Sequence, residues 1–264
     1  MSSIVNKNKF LPTTKNEMSA LGWEQADIIL VTGDAYIDHP SFGIAIIARL
    51  AESKELKVAV ISQPNWRDDL RDFTKLGKPK YFFGITAGAM DSMVNHYTAL
   101  KRKRSDDAFT PGGKSGFRPD YASVVYTNIL KSLYPDSFVV LGGIEASLRR
   151  ITHYDYWSDS IKPSILIDSG ADLLLYGMAE KSFEQLIKLW KEDSLYSDKV
   201  YNITQSSFVL NNKNELKKFT EDNHNYILLP SHEDCFSNKN TFARAFKLFE
   251  ENSNSFAPKT LIQA

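Results

Sequence analysis

Cysteine is almost absent: Cys235 is the sole thiol in 264 residues. A disulfide framework is therefore excluded, as is any metal site built from several thiolates. Cys235 lies near His232 and Asp234, but nothing in the sequence supplies the electropositive setting that activates a thiol, so it is read as inert. Net charge is also missing, with 32 Lys and Arg against 32 Asp and Glu. No overall field favours nucleic acid, and no clear nucleic-acid partner is expected. No apolar run approaches the roughly 18 residues of a membrane span. Met1 to Phe10 carries lysines but no apolar core, unlike a secretory signal. These absences together predict a cytoplasmic protein without a membrane partner. No internal repeat is evident.

Apolar residues make up 42% of the chain and charged residues 24%, which is ordinary for a soluble globular protein with a sizeable core. The apolar residues fall into short runs that read as strands over 26–31, 57–61, 81–85, 138–141 and 172–176. Between them the spacing predicts helices over 42–53, near 68–76, over 120–133 and over 180–190. Near-continuous apolar strands alternating with helices imply a doubly wound parallel α/β sheet covered on both faces. The expected organisation is an irregular lead-in over 1–25, the α/β domain over 26–192, and an irregular accessory segment or linker over 193–264. In that segment, 199–210 is expected to hold strands and 240–251 a helix.

In such sheets ligands sit beyond the carboxyl ends of the strands. Thr32-Gly33-Asp34, Thr86-Ala87-Gly88, Gly142-Gly143 and Tyr176-Gly177 all fall there, either as tight turns or as a rim facing a ligand. Asp38-His39-Pro40-Ser41 offers a proton-transfer pair, although helix entry capped by Ser41 is the simpler reading. The basic run Lys101-Arg102-Lys103-Arg104 precedes Pro111-Gly112-Gly113-Lys114-Ser115-Gly116. This is not a phosphate-binding P-loop, because Ala108 stands where its first glycine belongs and no strand leads in. It remains either a solvated face or an anion-contacting loop. The densest chemistry lies in Gly142 to Asp159, where two glycines lead into Glu145, Arg149, Arg150, His153, Tyr154, Asp155, Tyr156, Trp157 and Asp159. A carboxylate beside His153 can fix its tautomer, and the aromatic rings can stack on a planar ligand. A buried polar junction between domains accounts for the same residues. The candidates for ligand contact or domain junction are thus Asp34, His39, Gly88, Gly142, Gly143, Glu145, Arg149, His153, Tyr154 and Asp155, with no metal ligand among them.

Several segments carry a family resemblance: Phe10-Leu11-Pro12-Thr13, Asp34 to Gly43, Gln63-Pro64-Asn65-Trp66, Gly88 to Asn95, Arg104 to Gly113, Gly142 to Asp159, and Asp172 to Gly177. With these, the chain resembles the amino-terminal region of YgiQ-type radical S-adenosylmethionine (SAM) proteins over about residues 10–190. The resemblance implies a cobalamin-binding-type, flavodoxin-like α/β domain followed by a radical SAM barrel. In that barrel a Cys-x-x-x-Cys-x-x-Cys motif would hold a [4Fe–4S] cluster, which reduces SAM to a 5′-deoxyadenosyl radical. With Cys235 alone this chain cannot hold the cluster, so cluster and SAM are expected only in the full-length family. The partner expected here is the missing carboxy-terminal barrel, and no catalytic residue carries over. The cobalamin signature Asp-x-His-x-x-Gly is absent, since Asp222-Asn223-His224 begins it but Ile227 stands at the glycine. The reading is an amino-terminal radical SAM domain of unknown substrate, not competent alone. A stand-alone module for a nucleotide-like or corrinoid ligand, or a structural interaction domain, are the alternatives.

Overall fold

The computed structural model describes residues 10–192 and 198–264. The apolar runs become strands β1 (Ile28–Thr32), β2 (Val58–Ser62), β3 (Phe82–Thr86) and β4 (Phe138–Leu141). They are followed by β5 (His153–Asp155), β6 (Ser160–Lys162), β7 (Leu173–Leu175), β8 (Ser206–Ser207), β9 (Tyr226–Leu228) and β10 (Thr260–Ile262). The helices are α1 (Lys15–Ala20), α2 (Gly43–Ser53), α3 (Arg71–Thr74), α4 (Ser92–His96), α5 (Ala122–Leu133) and α6 (Gly143–Leu148). Then come α7 (Ile165–Ser169), α8 (Glu180–Lys191), α9 (Lys213–Asp222), α10 (His232–Ser237) and α11 (Lys239–Ser253).

The main sheet has the order β2-β1-β3-β4-β7-β8. Its first five strands are parallel, and β8 joins β7 antiparallel. Among the parallel strands this is the flavodoxin-like 2-1-3-4-5 order, whose switch point lies between β1 and β3. Nothing in the topology singles out the cobalamin-binding type. Alternate side chains of each strand enter different layers. Ile29, Val31, Phe83, Ile85, Val139 and Leu141 pack with Tyr126 and Leu130 of α5. On the other face Ile28, Leu30, Val58, Val60 and Phe82 pack with Ile44 and Ala48 of α2 and with Phe183, Leu186 and Ile187 of α8. Each fully buried Ile, Leu or Phe side chain contributes about 1.5–3 kcal/mol, so both faces fix the register.

Four expectations need correction. From residue 10, where the described residues begin, the lead-in is not irregular: Thr14 and Glu17 form a reciprocal capping box that starts α1, and Met18 and Leu11 are buried in the core. Ser41 does not cap α2. Phe42 holds that position without a side-chain bond, and the Ser41 backbone N–H instead donates to His39 Nδ1 at 3.1 Å. The helix expected near 68–76 shrinks to α3. Asp68 and Asp69 accept from the backbone N–H groups of Leu70 and Arg71, and Leu70 adopts φ 60°. Such local bonds offer the chain a turn in place of a helical one. Finally, from residue 198 onward the last segment is more regular than expected: beside the anticipated strand within 199–210 (β8) and helix over 240–251 (α11), it supplies α9, α10 and the parallel pair β9–β10. Among the described residues no helix is long and apolar enough to cross a membrane.

Candidate functional site

The carboxyl ends of β1, β3 and β4 lie on one edge of the sheet, because these strands are parallel and in register. Above that edge runs the connection from β3 to α5, residues 87–121. Two polar networks form where it meets the strand ends.

The first fills the switch point. Arg118 is 1% exposed. It donates to both carboxylate oxygens of Asp107, at 3.1 and 3.2 Å, and to the Ala87 carbonyl at 2.9 Å. It also lies 2.8 Å from Asp34 Oδ1. Asp34 accepts in turn from the Ala89 N–H at 2.6 Å. Burial pushes the Asp34 carboxyl above its usual range, against the pull of Arg118. Glycine is required beside it: Gly88 has φ +123°, and a Cβ there would stand 2.1 Å from Asp34 Oδ1.

The second network ties α4, α5 and α6 together. The Glu145 carboxylate is 1% exposed. It accepts from the Ser92 N–H at 2.9 Å and the Ser123 N–H at 2.8 Å. Those donors stand at the amino ends of α4 and α5, so Glu145 satisfies two helix termini at once. Asp91 caps α4 through Oδ1, and its Oδ2 pairs with Arg149. The Arg149 guanidinium lies 5.7 Å from the centre of the Tyr121 ring. Tyr121 passes the chain of contacts on, donating its hydroxyl to Asp155 at 2.8 Å. Asp155 also accepts from the Ser158 N–H at 2.8 Å, inside the β5–β6 hairpin.

Of the sequence candidates, Asp34 and Gly88 thus meet in the first network, and Glu145, Arg149 and Asp155 in the second. Gly142 donates to the Ile85 carbonyl at 2.9 Å and starts α6. Gly143 has φ +81°, and a Cβ there would stand 2.3 Å from Thr86 Oγ1. Tyr154 is exposed and donates to Asp159 at 2.6 Å. His39 stands apart in an exposed turn, and its neighbour Asp38 is engaged by Arg49. Sequence reasoning missed Asp91, Asp107, Arg118 and Tyr121. Asp91 and Asp107 lay inside resembling segments, whereas Arg118 carried no signal.

His153 is partly buried. Its Nδ1 lies 3.1 Å from the Ile151 carbonyl, and its Nε2 is buried without a partner. Burial holds the imidazole below the usual histidine range despite the Ile151 bond. The folded state therefore favours the neutral ring. This stability is complete above about pH 6.5 and is lost as pH falls toward the lowered folded value. Urea midpoints of wild type and His153→Gln, compared at neutral and mildly acidic pH, are expected to show the smaller acid loss in the variant. Equal losses would refute this role.

The family model described as Radical SAM N-terminal matches residues 10–264. The chain belongs to the radical SAM N-terminal family. It is 52% identical over 263 residues to a UPF0313 protein of Bacteroides thetaiotaomicron, a match covering 96% of this chain and 42% of that protein. A UPF0313 protein of Porphyromonas gingivalis is 51% identical over 255 residues, covering 97% of this chain and 39% of its own length. One from Thermotoga neapolitana reaches 57% over 180 residues, which are 68% of this chain and 32% of that protein. The chain therefore spans about two-fifths of the first two relatives.

Family membership implies a [4Fe–4S] cluster and SAM in the full-length proteins. This chain's donor set does not fit the cluster. Its one thiol, Cys235, is buried in α10 with Sγ 3.9 Å from the Pro230 carbonyl, and burial raises its pKa. Among the described residues no three His, Cys, Asp or Glu side chains are grouped to hold a metal.

Proposed function

We propose that this chain is the amino-terminal part of a radical SAM enzyme, folding by itself and docking the cluster-bearing part across the carboxyl edge of its sheet. The observation that carries this reading is the division of labour at that edge. The polar residues of the Gly142–Asp159 segment are largely spent on internal bonds, while apolar side chains face outward. Ile144 and Leu148, one turn apart on α6, are 44% and 59% exposed, and Met178 is 78% exposed. Gly177 donates its N–H to Ser147 Oγ at 3.2 Å, which sets the loop after β7 beside α6. Val94 of α4 is exposed too, and α4 is bonded to Glu145 of α6. Clustered exposed apolar groups mark interaction surfaces. The chain lacks the thiolates for radical chemistry, so alone it would supply shape and contacts rather than the reaction.

Co-expression with the remaining part of the Bacteroides thetaiotaomicron relative tests this. The two pieces are expected to co-purify, and Ile144→Glu with Leu148→Glu is expected to abolish association while leaving the circular dichroism unchanged. Anaerobic iron–sulfur reconstitution should give brown protein only when the second piece is present. Association indifferent to the α6 substitutions, or a cluster on this chain alone, would defeat the proposal. The alternative of a module for a nucleotide-like or corrinoid ligand at the switch point is disfavoured by Arg118, which occupies that crevice.

A further inference from the structure

We propose that a cleft beside the switch point binds a phosphoryl group, with His96 at its floor. The cleft has a volume of about 190 Å³ and is lined by Trp66, Arg67, His96, Tyr97, Lys103 and Asp120, among others. Three segments at the carboxyl edge build it: the turn after β2, the hairpin-like stretch after β3, and the approach to α5. This site lies within the present chain and does not depend on the docking reading.

His96 is 5% exposed. Its Nδ1 lies 2.6 Å from Asp120 Oδ1, and the other Asp120 oxygen accepts from the Tyr97 hydroxyl at 2.8 Å. The carboxylate thereby holds the proton on Nδ1 and turns Nε2 into the ring's remaining polar contact. That Nε2 is buried and has no partner. A buried polar atom left unpaired is costly, and His96 is one of the residues that line the cleft, so the pairing it lacks points to a guest there.

The rim sets the charge of that guest. A β-bridge pairs Tyr97 with Lys103, and the Arg104 N–H donates to the His96 carbonyl at 2.7 Å. These bonds fold the basic run 101–104 back beside the imidazole. On the opposite wall the Arg67 guanidinium lies 4.5 Å from the Trp66 ring centre. Among the described residues neither Lys103 nor Arg67 belongs to an ion pair. Arg118 stands behind, but its charge is met by Asp34 and Asp107. Two cations that line the same cleft as an imidazole with an unpaired nitrogen suit an anion that carries a proton. With the proton held on Nδ1, Nε2 accepts, so a phosphoryl group that carries a proton can donate to it.

The test follows the imidazole resonances of the full chain, labelled with ¹⁵N at histidine, during titration with inorganic phosphate, glycerol 3-phosphate or sulfate at matched ionic strength. The His96 signal is assigned by its loss in His96→Gln. A saturable shift of that signal with phosphate or the ester, and a weaker one with sulfate, which carries no proton to share, is the expected result. Lys103→Ala, an exposed substitution that leaves the fold intact, is expected to weaken binding roughly twofold to fivefold. Tighter binding of the ester assigns an organic phosphate to the site, and equal or weaker binding assigns free phosphate. No saturable shift at His96, a sulfate response equal to that of phosphate, or indifference to Lys103→Ala would overturn the proposal.

Discussion

Replacing Arg118 with Met is expected to cost about 3–5 kcal/mol of folding stability, the price of leaving buried charges without their partner. Small domains are stable by about 5–15 kcal/mol, so the variant should unfold at much lower urea and accumulate as insoluble protein. The cause is specific. The guanidinium meets Asp107 twice, Asp34 once and the Ala87 carbonyl once. Met fills much the same space but leaves two carboxylates and a carbonyl facing each other at the ends of β1 and β3. Arg118→Lys is expected to recover only part of the loss, since an ammonium cannot span that fork of acceptors. Equilibrium urea unfolding of the three proteins measures the difference. A near-wild-type midpoint for Arg118→Met would show that the network contributes little.

The second large effect is expected at Glu145. Glu145→Ala removes the acceptor of two buried N–H groups, Ser92 and Ser123. Each orphaned donor costs about 1–3 kcal/mol. Glu145→Gln keeps one carbonyl oxygen but turns an NH₂ group toward the other donor, so it should fall between wild type and Ala. A residue that only contacted substrate would leave both variants as stable as wild type. Urea midpoints with unchanged slopes separate the two cases.

The sheet was legible in the sequence because its strands are nearly uninterrupted apolar runs. β4 was placed at 138–141 and found there, and the other parallel strands shifted by one or two residues at an end. The long helices were legible for a related reason: α8 repeats Phe183, Leu186, Ile187 and Trp190 at helical spacing. Short elements were not. α4, α6 and α7 span one or two turns, and their sequences carry too few apolar positions to show a period. The β5–β6 hairpin lies in a stretch so rich in polar groups that alternation is invisible.

At the site, composition showed where polar chemistry gathers but not which groups meet. Glu145 and Arg149 were singled out, yet their partners Asp91 and Ser123 come from distant segments joined only by the fold. Arg118 looked like any surface arginine between Phe117 and Pro119. Its burial depends on Asp34 and Asp107 arriving from two sides, which no local window displays. His96 and Asp120 are separated by 24 residues and escaped notice for the same reason.

The edge strand β8 has a consequence for the solution behaviour of the protein. A parallel sheet rich in aliphatic side chains ends in a row of unmet backbone donors and acceptors, which invites another molecule to add a strand. Here Ser206 and Ser207 close β7 by pairing antiparallel with Leu175 and Leu174. The outermost rung is thus two residues long, hydroxyl-bearing and reversed in direction, a poor template for end-on growth. The residues that guard this flank lie beyond α8, so the segment after 192 closes one edge of the sheet as well as extending the chain.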